Sequence, residues 1–190
     1  MVRYLKKILV YGSRDFGQVI KALVKNCGYE FSGFIDDFNT GDEIVGKFLE
    51  VCDTFSSENY EIVIAIGYNN LKERWKIYRK VSGAGYRIPH LIHPKAYVSE
   101  SCKVGEGVII MTGAIVDINV KLAELVVLWP GVVVNHDSEI NANTFLSPNS
   151  TICGFVTIGE NCFLGAGAVV VDHMRVPEDS FIKAGRLFKG

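Results

Sequence analysis

A chain of 190 residues with 48% hydrophobic content has enough apolar material for one large or two small folded domains. Its net charge of −1 excludes the basic field of a nucleic-acid binder, and its apolar runs fall short of the ~20 residues a membrane helix needs. Five cysteines, at 27, 52, 102, 153 and 162, are an odd number without metal-site spacing, which points to reduced thiols in a cytoplasmic protein.

The chain opens on "MVRYLKKILVYGSRD", which is basic but has too short an apolar run for a signal peptide. Within it, "KKILVYGS" reads as a buried strand ending in a glycine turn. "FGQVIKALVKNCG" follows as a helix, with Val19, Leu23 and Val24 on one face and Gly28 as its stop. "YEFSGFIDD" is a second strand. Residues 38 to 60 show no single period and have room for a short helix or strand. "EIVIAIGY" is a strand, and "NLKERWKIYRKVSGAGY" is a helix with apolar Leu71, Trp75, Ile77, Tyr78 and Val81, which leaves Arg74 on its surface. Strands alternating with helices predict parallel βαβ units, a Rossmann-like α/β domain over residues 1–90.

Residues 91–190 follow another rhythm. Every sixth residue from Ile92 to Ile182 is aliphatic, including Val98, Ile110, Leu128, Val134, Ile140, Ile158 and Val170. The residue two before each is usually small, as at Ala96, Ala114, Ser138, Ser150 and Ala168. This period fits neither a helix nor a flat sheet. It fits an all-β β-helix of hexapeptide repeats, in which one aliphatic per hexad fills the axis and a small residue turns the corner. The period alone does not give the hand of the coil.

The segments "ILVYGSRDFGQVI", "GFIDD", "IAIGYNNLKER", "LIHPKAYVSESCKVGEGV", "VVVNHDSEI" and "VTIGENCFLGAGAVV" occur in the order seen in one family. The chain resembles the hexapeptide sugar acyltransferases, which include bacterial sialic acid O-acetyltransferases and nucleotide-amino-sugar N-acetyltransferases. The likeness covers nearly all of its length. The resemblance implies a left-handed β-helix and an N-terminal domain that holds the nucleotide of a nucleotide-linked sugar. It also implies acetyl-CoA as acyl donor, lying along the solenoid groove between two subunits of a homotrimer, with no metal, in surface polysaccharide or glycan biosynthesis. The family's catalytic histidine is followed by an acidic residue. "NHD" matches that place, which carries the role of general base to His136 and that of orienting partner to Asp137.

The residues themselves fit such roles. His136 lies two beyond the axial Val134, off the axis, and histidine titrates near neutrality, so it can take the proton an attacking amine or hydroxyl must lose. A neighbouring carboxylate can fix its tautomer. Adjacent strand residues point oppositely, so the pairing requires a corner or a carboxylate from another coil. "GSRDFG" stands where a strand meets a helix, a place that cradles phosphates on backbone N–H groups; Gly12, Ser13 and Arg14 are the candidates. It reads equally as a plain tight turn. The family has a histidine before the last glycine, and this chain has Asp15 and Phe16 there. Asp36 and Asp37 end the second strand, where acidic groups accept from a ribose or base edge, and the resemblance places them near the base. A turn or capping pair is the alternative. Gly67 and Asn69 stand at the same sheet edge. Trp129 replaces an asparagine of many relatives and stacks on a sugar or packs a trimer. Gly154, Gly165, Ala166 and Gly167 are small enough for a pantetheine arm to run against backbone, and they also suit solenoid corners. Lys183 and Arg186 face the coenzyme's phosphates or water.

The leading expectation is acetyl transfer to an amino group of a nucleotide-linked sugar, with a hydroxyl of a sialic-acid-like or other sugar as the alternative. A zinc enzyme needs three converging ligands, and the solenoid offers only His93, His136 and His173 at unrelated spacings. The altered "GSRDFG" favours a non-catalytic sugar-nucleotide-binding protein, against which the intact "NHD" argues.

Overall fold

A computed structural model describes residues 7–190, and the chain in it divides into two compact units between Pro89 and His90. Residues 1–6, which carry part of the basic start, lie outside the described residues. The first unit runs β1 (Lys7–Tyr11), α1 (Asp15–Asn26), β2 (Glu30–Ile35), β3 (Ile44–Gly46), α2 (Phe48–Thr54), β4 (Tyr60–Ile64) and α3 (Leu71–Gly83). The strands form one parallel sheet in the order β3-β2-β1-β4. Ile8, Leu9 and Val10 are fully buried, because a parallel sheet covered on both faces needs a continuous apolar run. Residues 38 to 60 hold β3 and α2.

Two sequence expectations for the helices are corrected. The inner stripe of α1 is Gly17, Ile20, Leu23 and Val24, while Val19 faces water. The turn after β1 sets this phase: a Cβ on Gly17 would fall on the carbonyl oxygen of Gly12, so the helix meets the strand end through its one side-chain-free position. Arg74 is fully buried rather than on the surface of α3. It lies seven residues before the buried Val81, on the same stripe, so the helical period turns it inward whatever its charge. Burial lowers its guanidinium pKa to about 10.

The second unit is a left-handed β-helix. Its two-residue strands build three parallel faces. The first holds Leu91–Ile92, Ile109–Ile110, Val127–Leu128, Phe145–Leu146, Phe163–Leu164 and Phe181–Ile182. The second holds Tyr97–Val98, Ile115–Val116, Val133–Val134, Thr151–Ile152, Val169–Val170 and Leu187–Phe188. The third holds Lys103–Val104, Lys121–Leu122, Glu139–Ile140, Thr157–Ile158 and Arg175–Val176. Neighbours pair three hexads apart, as Val133 does with Ile115 and Thr151. The hexad aliphatics from Ile110 to Ile182 form one buried cluster, with Ile92, Val98 and Val104 partly buried at its start. Each fully buried aliphatic contributes roughly 1.5–3 kcal/mol of transfer free energy.

The corners repeat as regularly as the core. Every sixth residue from Gly107 to Gly185 has a positive φ, in the left-handed region. Each corner falls three residues after a hexad aliphatic, and this backbone reversal sends the chain to the next face.

Candidate active site

His136 and Asp137 stand at a corner between the second and third faces. Asp137 has φ +57°, which turns its side chain to the same side as that of its neighbour. The corner thus achieves what a strand forbids, and His136 Nδ1 lies 3.0 Å from Asp137 Oδ2. The other carboxylate oxygen, Oδ1, accepts from Asn119 Nδ2 at 3.0 Å. Asn119 occupies the equivalent corner one coil earlier. Hydrogen bonds from Asn119 and then His136 hold the Asp137 carboxyl below the usual range. A carboxylate fixed at both oxygens stabilises the proton on Nδ1 and leaves Nε2 as the acceptor. Ser138, buried just beyond, donates to Cys153 O and accepts from Val156 N, tying the corner to the next coil. Gly154 lies against the imidazole: a Cβ there would stand 2.7 Å from His136 Cε1. Phe155 meets the same imidazole edge to face, with ring centroids 5.1 Å apart.

The remaining expected solenoid residues are not at this corner. Trp129, Gly165, Ala166, Gly167, Lys183 and Arg186 cluster at the corner between the first and second faces. Within one chain, Trp129 and His136 are therefore separated by the second face. Trp129 is partly buried against the core and its ring lies 6.0 Å from that of Phe145. Gly165 is buried, and a Cβ on it would collide with the backbone of Ala184. Ala166, Gly167, Lys183 and Arg186 are exposed.

In the first unit, a crevice of about 620 Å³ opens at the carboxyl ends of β1, β2 and β4. It is lined by Gly12, Ser13, Arg14, Asp36, Asp37, Gly67 and Asn69 together with Tyr11, Asn39, Lys76 and Lys80. Strand order places it beside β1, where the chain first goes to one side and then to the other, the usual position for a ligand in an open parallel sheet. Gly12 has φ +109°, and a Cβ on it would stand 2.7 Å from Ala65 O. Asp36 is buried, and its oxygens accept from Ser13 Oγ at 2.5 Å, from the amides of Phe38 and Asn39, and from the Asn39 side chain. Burial raises its pKa, but these hydrogen bonds outweigh it and hold the carboxyl at about 2. Asp37 accepts from Phe48 N at 2.8 Å, Tyr11 Oη at 2.6 Å and Lys80 Nζ at 3.0 Å. Burial opposes its ionisation and these donors favour it, with a net lowering. Burial and then Asp37 push the Tyr11 phenol up. Both carboxylates are thus occupied by the protein itself. They fix the loops around the crevice, in keeping with the turn or capping pair that the sequence offers as the alternative to ligand acceptors. Asn39, Lys76 and Lys80 were missed there, because nothing in their local sequence announces a sheet edge.

Residues 7–81 match the PglD N-terminal domain family, and residues 137–172 match the bacterial transferase hexapeptide family of six repeats. The acetyltransferase domain of PglB from Neisseria gonorrhoeae superposes with a TM-score of 0.91 at 28% identity, over 97% of this chain and 91% of that one. A structure of that domain with acetyl coenzyme A gives 0.89 at 28% identity, over 97% and 93%. PerB from Caulobacter crescentus, in complex with CoA and GDP-perosamine, gives 0.89 at 28% identity, over 96% and 88%. These likenesses span both units and support a hexapeptide-repeat sugar acetyltransferase.

Proposed function

We propose that this protein transfers an acetyl group from acetyl-CoA to an amino group on a nucleotide-linked sugar, in bacterial glycan biosynthesis. The observation that carries the reading is the His136–Asp137–Asn119 chain at a solenoid corner, with the imidazole against Gly154. The similar structures bind acetyl-CoA, or CoA with GDP-perosamine, which supports both substrates. The crevice of the first unit suits the nucleotide, with Gly12, Ser13 and Arg14 toward phosphate and Gly67 and Asn69 at its rim.

The sugar nitrogen attacks the thioester carbonyl. As the N–C bond forms, its proton passes to His136 Nε2. The C–S bond breaks, and the imidazolium returns the proton to the leaving thiolate. Asp137 holds Nδ1–H throughout and balances the imidazolium charge. We assign the donor to Gly154, Gly165, Ala166 and Gly167, with Lys183 and Arg186 toward its phosphates. Gly154 and the other five stand at opposite corners of the second face. A donor that touches both sets lies between two copies of the chain, which supports a homotrimer with shared sites. Trp129 then faces the partner's site. Five free cysteines fit the cytoplasm, where such donors are made.

The test is release of free thiol from acetyl-CoA against a panel of nucleotide-linked amino sugars and free sialic acids. Turnover with an amino sugar is expected, and His136→Ala lowers kcat by ~10²–10⁴ with little change in KM for acetyl-CoA. Turnover only with hydroxyl acceptors assigns O-transfer instead. A His136→Ala variant with near-normal kcat rejects the general-base role.

A further inference from the structure

Fourteen corners of the solenoid adopt the left-handed conformation, and eleven carry Gly, Asn or Asp, which tolerate it. The exceptions are Leu125, Phe155 and His173. Leu125 is fully buried, so core packing offsets its strain. Phe155 and His173 have no such compensation. Both have φ +58°, and they occupy successive positions in the corner column that contains Asn119 and Asp137. Phe155 remains 50% exposed. A strained residue with half its surface in water adds little to the fold, so its contacts carry the explanation.

Those contacts are two imidazoles. The Phe155 ring meets His136 edge to face, at 86° and 5.1 Å. It also lies parallel to His173, at 4° and 4.9 Å. Among the described residues, His136 has one side-chain hydrogen bond, from its ring to Asp137. One bond at Nδ1 leaves the ring free to hinge about that contact, and Gly154 offers no side chain to stop it.

We propose that Phe155, backed by His173, is a positioning residue for His136. Its ring closes the side left open by Gly154 and keeps the imidazole in the orientation in which Nδ1 meets Asp137 and Nε2 is free for the acceptor. Phe155 acts on the imidazole and not on the reacting atoms. The catalytic consequence rests on the acetyl-transfer reading above.

Two substitutions separate ring from strain. Phe155→Asn removes the ring and places a residue that tolerates the left-handed corner, while Phe155→Tyr keeps the ring. Phe155→Asn is expected to melt at or above the wild-type temperature, with kcat about 10-fold lower and both KM values within about two-fold. Phe155→Tyr retains most of kcat. NMR of histidine-labelled protein, with His136 assigned by His136→Gln, supplies a readout that needs no acceptor. One Nδ1–H tautomer is expected in the wild type and a tautomer mixture in Phe155→Asn. Unchanged imidazole signals in Phe155→Asn overturn the proposal, as does a loss of kcat that merely tracks a loss of thermal stability. A wild type that shows the tautomer difference but transfers to no acceptor supports the positioning contact and rejects the acetyl-transfer reading.

Discussion

Asp36 is a structural carboxylate at a functional edge. It gathers Ser13 from the loop after β1 and Phe38 and Asn39 from the loop after β2, so one side chain sets the mouth of the crevice. Its folded pKa of about 2 lies below an unfolded value of about 3.9. The stability it contributes is therefore fully present above about pH 4–5 and is lost as pH falls toward 2, up to roughly 2 kcal/mol in all. Asp36→Asn should be less stable than wild type at neutral pH, and the gap should narrow as denaturation is followed from pH 5 down to pH 2. A gap independent of pH would place the contribution of Asp36 in shape rather than charge. At this scale the sequence was legible where chemistry is local. "NHD" marked His136 and Asp137 because an imidazole beside a carboxylate is conspicuous in an apolar run. Asn119 was invisible because its link to Asp137 runs between coils. Stepping back one full turn, 18 residues, from Asp137 reaches Asn119, and stepping forward reaches Phe155. That spacing was the available signal.

Among the elements, the strand-to-helix turn of the first unit depends on two glycines for different reasons. Gly12 needs its positive φ and its close approach to Ala65 O, whereas Gly17 is helical and needs only the missing Cβ. Gly17→Ala puts a methyl group on the Gly12 carbonyl, so α1 must shift off the end of β1. The expected cost is about 2–4 kcal/mol, concentrated in the first unit. Nucleotide-sugar affinity, measured by calorimetry, should fall while acetyl-CoA affinity persists. Equal loss of both would contradict the division of labour between the units. The same turn explains why Val19 misleads. An apolar residue on a helix names a candidate face, but the glycine contact fixes which face is used. Arg74 misleads the other way, since its type suggests water and its spacing from Val81 dictates burial. Elements whose strand pattern is redundant, such as Ile8, Leu9 and Val10, were legible without such context.

Across the whole molecule, the hexad period was legible because each buried aliphatic is one of many equivalents, so no single exception obscures the pattern. The period does not say which outer face is covered, and the outward residues of the strands do. On the third face they are Lys103, Lys121, Glu139, Thr157 and Arg175, a surface suited to water. On the second face they are Tyr97, Ile115, Val133, Thr151, Val169 and Leu187. Tyr97 and Leu187 are each 57% exposed, and Ile115 is 44% exposed. An apolar stripe of this kind, interrupted at Thr151, marks an interaction surface. Val132, next to Val133 in the chain, belongs to the buried core and adds nothing to this stripe. The second face also separates the His136 corner from the Gly167 corner, so a copy packed on it brings the two kinds of corner together between subunits. The proposed homotrimer of a 21.0 kDa chain is expected to sediment at 63 kDa at micromolar concentration. Ile115→Glu places a charge in the stripe, between Tyr97 and Val133, without touching the axial core, so the protomer should fold and sediment as a single chain. It should bind a nucleotide-linked sugar through its first unit but lose most acetyl transfer, because each donor site lacks its second wall. A wild type that is monomeric and fully active, or an Ile115→Glu monomer with wild-type kcat, would show that one chain completes the site.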